Sequence, residues 1–294
     1  MAAKTIHSTI RRTFSTLRNH QTELLYGTHS IEAALTSHSR SFKSLYAVGT
    51  KGEDDVENKA QDQAIKRRGR LARLASDANV PIHWISRQEL NNLLPPGVSG
   101  TSGGVALECS PLNDISFVGD SRDLHLMCDN SPVDNNVVLF LDEMNDPQNL
   151  GATLRCACFL GAAGVVISAK NSAPLSPSVS RASAGALEIL ASQGRLMFTK
   201  GALPTLLKDM QKNEWDIVGT VVQDERSVLL NSASKPTKST DKVAIIMGSE
   251  GFGMRKMVKR SCTTLVTLPA SIGSHSCSSL NVSVTSALML HHYL

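Results

Sequence analysis

Apolar and polar positions along this chain follow two rhythms, a helical one of about 3.6 residues and a strand-like one of short apolar runs, arranged differently in its two halves. In the first half the pattern predicts a short helix over 30–36 and a strand over 45–48. A charged helix then runs from about residue 59 to 77, with Ile65, Leu71 and Leu74 turned inward. A strand over 81–85 follows. Ser86 and Glu89 have the spacing of a capping box, in which two side chains satisfy each other's free backbone N–H groups, so a helix opens there toward Leu94. Pro95, Pro96 and Gly97 begin a loop that runs through Gly104, and 105–109 reads as a short strand. Residues 23–111 are therefore expected to form a small α/β unit. Residues 112–136, with five Asp, four Asn and little periodicity, read as a linker.

The second half, 137–294, is more regular. Apolar strands are expected over 137–142, 164–168, 195–199, 215–222, 242–247 and 264–268. Helices are expected over 150–160, 178–190, from about 204, over 254–260 and over 280–293. Buried strands alternating with amphipathic helices imply an α/β fold whose parallel sheet is covered on both faces. The run SASKPTKSTD (232–241) reads as a flexible surface loop.

Composition narrows the classes. At about 150 residues per domain, 294 residues suggest two domains, and 41% apolar residues suffice for a core in each. No apolar stretch approaches the roughly 18 to 20 residues that a membrane helix needs, so a soluble protein with no membrane partner is expected. Six scattered cysteines, none in C-x-x-C spacing, suggest reduced thiols in an intracellular compartment rather than a disulfide framework or a zinc site. The formal charge is +4, and its placement matters more than its size. Residues 1–22 carry Lys4, Arg11, Arg12 and Arg18 and no acid, so these four bases account for the whole excess of thirty Lys and Arg over twenty-six Asp and Glu. Ile6, Ile10, Phe14 and Leu17 fall on one helical face beside the arginines. That is the pattern of a transit peptide, mitochondrial (matrix) in preference to plastid; an ordinary basic N-terminus is the plain alternative.

Ligands of open parallel sheets bind where the carboxyl ends of strands exit, which singles out three turns. The first, residues 142–151, enters a helix containing Arg155, and Asn149 stands six positions before that arginine. Their side chains converge only if Asn149 lies at or before the first helical turn; otherwise Asp146 or Asn149 simply caps the helix. The second, Gly248-Ser249-Glu250-Gly251-Phe252-Gly253, has three glycines that let a backbone approach a ligand closely and an acid set in the turn. It matches neither dinucleotide nor phosphate-loop fingerprints, and a tight turn with an exposed Glu250 would explain it too. The third opens the last helix, where Ser279 is a good N-cap and Asn281 stands just inside. His275 and Cys277 lack a second ligand cluster, so no metal site is expected. His291 and His292 suit a helix C-terminus and need no other role. Lys66-Arg67-Arg68-Gly69-Arg70 is either a solvated helix face or a surface for an RNA backbone.

Taken together and in this order, DPQNLGATLR (146–155), IIMGSEGFGM (245–254) and SLNVSVTSALML (279–290) resemble the three motifs of the SpoU-type branch of the SPOUT RNA 2′-O-ribose methyltransferases. LLYGTHSIEAAL (24–35) resembles the opening of the ribosomal-protein-like substrate-binding domain that often precedes the catalytic domain in that family. The resemblance implies a parallel sheet with a C-terminal deep trefoil knot, an exception to the rule of unknotted connections, in a homodimer whose active site draws on both subunits. It implies S-adenosylmethionine as methyl donor, held largely by backbone groups at Gly248, Leu268 and Leu280, and Asn149, Arg155, Glu250, Ser279 and Asn281 as the polar catalytic positions. With the basic leader, the likeness is to the branch acting on guanosine in mitochondrial large-subunit ribosomal RNA. Ala270 stands where the family commonly has Met, and Thr101-Ser102-Gly103-Gly104 where relatives often show His-Gln-Gly.

A guanidinium with a pKa above about 12 is a poor proton acceptor. On this reading Arg155 therefore binds the target phosphate and ribose oxygen, oriented by Asn149. Glu250 fixes that arginine or the loop, while Ser279 and Asn281 shape the substrate side. The alternatives are a non-catalytic RNA-binding factor of mitoribosome assembly, which the retention of all five polar positions opposes, and a transfer-RNA ribose methyltransferase. A dinucleotide-dependent enzyme would require an early glycine fingerprint that this chain lacks.

Overall fold

The computed structural model describes residues 22–49, 59–98, 100, 102–238, 240–269 and 279–294. The leader, apart from Thr22, lies outside these residues, as do His275 and Cys277. The chain separates into two compact units, Met1–Asp114 and Ile115–Leu294.

The first unit runs β1 (Glu23–Tyr26), α1 (Thr28–Ser37), β2 (Phe42–Val48), α2 (Lys59–Asp77), β3 (Ile82–Ile85), α3 (Arg87–Leu93) and β4 (Val105–Cys109). The sheet order is β1-β4-β2-β3, with β2 parallel to β3 and both contacts of β4 antiparallel. Alternation along β2 divides the core: Leu45 and Ala47 join Ile31, Leu35, Leu71 and Ala75 under α1 and α2, while Tyr46 and Val48 join Leu90 and Leu94 on the α3 side. The capping box at α3 forms as its spacing predicts, Glu89 N–H donating to Ser86 Oγ at 3.2 Å and Ser86 N–H to Glu89 Oε2 at 2.7 Å.

The second unit begins earlier than the linker reading allowed. Residues 112–136 hold β5 (Ser116–Val118) and α4 (Ser121–Asp129), and Val118, Leu124 and Met127 are buried in the main core. Two of the five aspartates that suggested a linker cap α4: Asp120 accepts the Arg122 N–H at 2.9 Å and Asp123 accepts the Gly119 N–H at 2.7 Å. Then follow β6 (Asn136–Leu141), α5 (Pro147–Leu160), β7 (Gly164–Ile167), α6 (Pro177–Ala182), α7 (Ala186–Ser192), β8 (Leu196–Thr199), α8 (Leu203–Lys212) and β9 (Trp215–Thr220). The chain continues through β10 (Ser227–Leu229), β11 (Lys242–Met247), α9 (Lys256–Arg260), β12 (Thr264–Thr267) and α10 (Val282–Tyr293). Among these described residues the eight strands run in the order β10-β12-β9-β11-β6-β7-β8-β5, every pairing parallel. All their carboxyl ends consequently lie along one edge. Val138 and Phe140 of β6 face the core shared by α4, α8 and α9, while Val137, Leu139 and Leu141 are buried on the opposite side. No helix among the described residues is long and apolar enough to cross a membrane.

The single helix expected over 178–190 is two helices. Ala184 and Gly185 take positive φ values of 50° and 88°, and the Ser183 hydroxyl accepts the Leu187 N–H at 3.1 Å, which starts α7 anew. The break has a packing consequence. A Cβ on Gly151 of α5 would stand 2.5 Å from the Ala182 Cβ, 2.8 Å from the Val179 carbonyl oxygen and 2.9 Å from the Ser183 nitrogen, so α5 and the α6 end touch backbone to backbone. Because two of those neighbours are main-chain atoms, Gly151→Ala forces a backbone shift and is expected to lower the unfolding free energy by about 1–3 kcal/mol, as read from a urea titration.

Candidate active site

Parallel pairing of β6 with β11 sets Leu141 opposite Met247, so the turns leaving these strands emerge side by side. In the first, Asp146 accepts the Gln148 N–H at 2.9 Å and Pro147 occupies the opening of α5, a position where a missing N–H costs nothing. Asp146 therefore fills the capping role. That leaves Asn149 in the first helical turn, 7% exposed, with its amide available for another task.

In the second turn Ser249 and Gly253 pair across a one-bridge loop, with N–H to O distances of 3.1 and 2.8 Å, which pushes Glu250, Gly251 and Phe252 to an exposed tip. Gly248 is required at the root, because a Cβ there would lie 2.3 Å from Gly253 C and Met254 N. The Glu250 carboxylate accepts a hydrogen bond from Asn149 Nδ2, and Asn149 Oδ1 accepts one from Asn281 Nδ2 at 2.9 Å. Asn281 Oδ1 in turn accepts the Ser283 N–H at 2.8 Å. The direction of this relay is fixed by its end: an ionised carboxylate only accepts, so Asn149 must offer it nitrogen and keep oxygen for Asn281.

Two expectations change here. Asn281, not Ser279, caps the last helix, and α10 begins at Val282 rather than at 280. At the cap, Asn281 accepts the Ser283 N–H with Oδ1 while its Nδ2 reaches Asn149. Arg155 does not meet Asn149 or Glu250: it is exposed on α5, and among the described residues no hydrogen bond or ion pair holds it. Glu250 binds the asparagine instead of the arginine.

Beside the relay opens a cavity of about 600 Å³, within the usual range of roughly 300–1,000 Å³ for small-molecule sites. Gly248, Glu250, Leu268, Ser279 and Leu280 line it, so the three expected cofactor positions share one wall system with two of the polar positions. Thr220 to Gln223, leaving β9, also line it and were missed; applying the strand-exit rule to β9 would have found them. Lys259 at the same cavity pairs with Asp224, whose carboxyl its neighbours Lys259 and Arg226 hold well below the ordinary range. Burial pushes the Cys128 and Cys262 thiols up to about 12, which leaves them protonated and unsuited to nucleophilic chemistry.

A fully parallel sheet, a cavity at its strand exits and an amide–carboxylate relay at the rim define an α/β protein of the kind that holds a small ligand at the strand exits, without a dinucleotide fingerprint. Family models give the class its name: residues 136–291 match the SpoU rRNA methylase family, and residues 24–115 match the RNA 2′-O ribose methyltransferase substrate-binding family. The chain belongs to the SpoU rRNA methylase family. It is 32% identical over 274 residues to a 23S rRNA (guanosine-2′-O-)-methyltransferase of Pseudomonas syringae pv. tomato, covering 93% of this chain and 96% of that one. It is 31% identical to the human mitochondrial rRNA methyltransferase 1, covering 92% of this chain and 71% of the relative. In fold it is similar to a crystal structure of an RNA 2′-O ribose methyltransferase, with a TM-score of 0.66 at 21% identity over 96% of this chain and 90% of the other. It is likewise similar to the AviRb methyltransferase of Streptomyces viridochromogenes in complex with AdoMet, with a TM-score of 0.60 at 18% identity over 96% and 95%.

Because Asn281 serves both as cap and as donor, its two roles separate by substitution. Asn281→Ala should cost about 0.5–2 kcal/mol of stability, while Asn281→Ser, which retains a capping oxygen, should stay near the parent in thermal denaturation, although both lose the bond to Asn149.

Proposed function

We propose that this protein transfers a methyl group from S-adenosylmethionine to the ribose 2′-hydroxyl of a guanosine in mitochondrial large-subunit ribosomal RNA. The relay Glu250–Asn149–Asn281 at the rim of a cofactor-sized cavity carries the reading. Support comes from the bacterial and mitochondrial relatives, whose names state ribosomal RNA, and guanosine for the bacterial ones.

The cavity suits such a cofactor. Met247, Val266, Leu280 and Met289 offer apolar surface for a purine, and the tight Gly248 root brings main-chain atoms rather than a side chain to the wall. When bound, S-adenosylmethionine supplies an electrophilic methyl group that needs no further activation. The protein's task is then to place the hydroxyl in line and favour its developing negative charge, while the hydroxyl proton passes to solvent water and S-adenosylhomocysteine leaves. Arg155 does this by binding the target phosphate and the ribose oxygen through its planar fork. Asn149, held by Glu250 and Asn281, shapes the nucleotide side of the pocket, with Ser279 next to it.

Arg155 is exposed in a single chain, and so is the apolar surface around it. Phe159, one turn further on α5, is 87% exposed, and Val284 and Leu288 of the neighbouring α10 are 48% and 40% exposed. We assign this face to a second copy of the chain, which would cover the ring and carry Arg155 to a shared site. The last helix, α10, which packs on α5 and β11, would belong to the knot of the family. The leader's charge and the mitochondrial relatives support import into the matrix.

Ribose-methylation mapping tests the whole reading. With the protein present, one site in organellar large-subunit ribosomal RNA should become methylated; a chain that binds this RNA without methylating it would be an assembly factor, and methylation of transfer RNA alone would move the substrate class. Asn149→Ala should lower turnover on the order of 10²-fold, and Arg155→Lys at least about tenfold, since a lysine keeps charge but not the planar fork. Phe159→Glu should convert a dimer to a monomer in sedimentation velocity and abolish turnover together with it; a monomeric parent would overturn the shared site.

A further inference from the structure

Arg255 follows the Gly248–Met254 loop directly and is extended, with ψ of 143°, so the helix expected from 254 starts only at Lys256. Its side chain, 43% exposed, reaches to the exit of β6. Nε donates to Asp142 Oδ2 at 3.1 Å and Nη2 donates to Asp142 Oδ1, a two-pronged pairing, while Nη1 stands 3.2 Å from Glu143 Oε1. Asp142 is 1% exposed and is the first residue beyond β6, where its own N–H donates to the Met247 carbonyl at 2.8 Å. Glu143 takes a left-handed φ of 58°, donates its N–H to Ser168 Oγ at 2.7 Å, and accepts Asn171 Nδ2 at 3.0 Å. One guanidinium thus gathers the exit turns of β11, β6 and, through Glu143, β7.

We infer that Arg255 is a positioning residue for methyl transfer: clamped to Asp142 and Glu143, it sets the height at which the Glu250 loop meets Asn149. The inference rests on the methyltransferase reading above. The loop itself is closed by the Ser249–Gly253 bridge, so it moves as one piece on its root. The root has two anchors, Gly248 in continuation of β11 and Arg255 on the other side. Freeing the second lets the tip rotate about the first, and the bond from Asn149 to Glu250 is what such a rotation breaks. A role confined to neutralising the buried Asp142 carboxylate would instead touch stability alone.

Arg255→Lys keeps the charge and loses the fork. Its melting temperature, S-adenosylmethionine affinity by calorimetry and single-turnover methyl transfer at saturating cofactor are measured with the full chain, alone and combined with Glu250→Ala. At saturating cofactor turnover is expected to fall about tenfold, and the same change should add less than about twofold in the Glu250→Ala background, since both act on one contact. Should Arg255→Lys not fold, the charge-free pair Asp142→Asn with Arg255→Gln replaces it, with the same expected loss of turnover in a folded protein. Full turnover by either, or losses that simply multiply with Glu250→Ala, overturns the inference. A parent that methylates no RNA would instead overturn the methyltransferase reading, and the positioning role falls with it.

Discussion

β6 and β11 pair in parallel from Asn136 opposite Lys242 to Leu141 opposite Met247, and that register decides where every polar group of the site stands. Side chains along a strand alternate between faces, so a slip of one residue would exchange the two sides of the core and send Asp142 away from Arg255. Both strands are buried over five of their six residues, so no such slip is tolerated by burial. The exit turns inherit this precision. Asp142, Asn149 and Glu250 are brought together by hydrogen bonds between strands rather than by anything local to their own loops.

Much of the architecture was legible because it follows from local rules. Apolar runs marked the buried strands, and the box at Ser86 and Glu89 marked a helix start that the structure repeats atom for atom. The three exit turns were also readable, whereas the grouping of Gly248, Leu268 and Leu280, which line one cavity, came from the family resemblance alone. What failed did so where one residue type serves two purposes. Aspartates that cap α4 looked like linker composition, and the single helix expected over 178–190 breaks where the Ser183 hydroxyl starts α7. Ser279 lost the capping position to Asn281 because the cap was chosen by a partner 132 positions away. The clamp of Arg255 on Asp142, 113 positions apart, leaves no local trace at all.

Charge shows the same division between what is counted and where it lies. The formal excess sits entirely in residues 1–22, so the rest of the chain is neutral in sum. Several of its bases are committed internally: Arg40 to Glu23 and the Ser110 carbonyl, Arg195 to the carbonyls of Ala162 and Ala163, Arg255 to Asp142. Arg155 stands apart from these. A guanidinium left in water on the same face as an exposed phenylalanine costs little there and is ready for an anionic partner.

The relay of Glu250, Asn149 and Asn281 also has a bearing on how the chain comes into being. Its members are 101 and 132 residues apart, and the last one opens α10. The sheet around β6, β7 and β8 contains residues that emerge early in synthesis, but closing the long loops to β11 and α10 must wait for the final residues to emerge. A nascent or shortened chain ending before Leu280 would therefore have Asn149 without its second partner and the cavity without its wall at Leu280. The relay is thus completed only once Asn281 has emerged, which makes it one of the last contacts of the sheet edge to form.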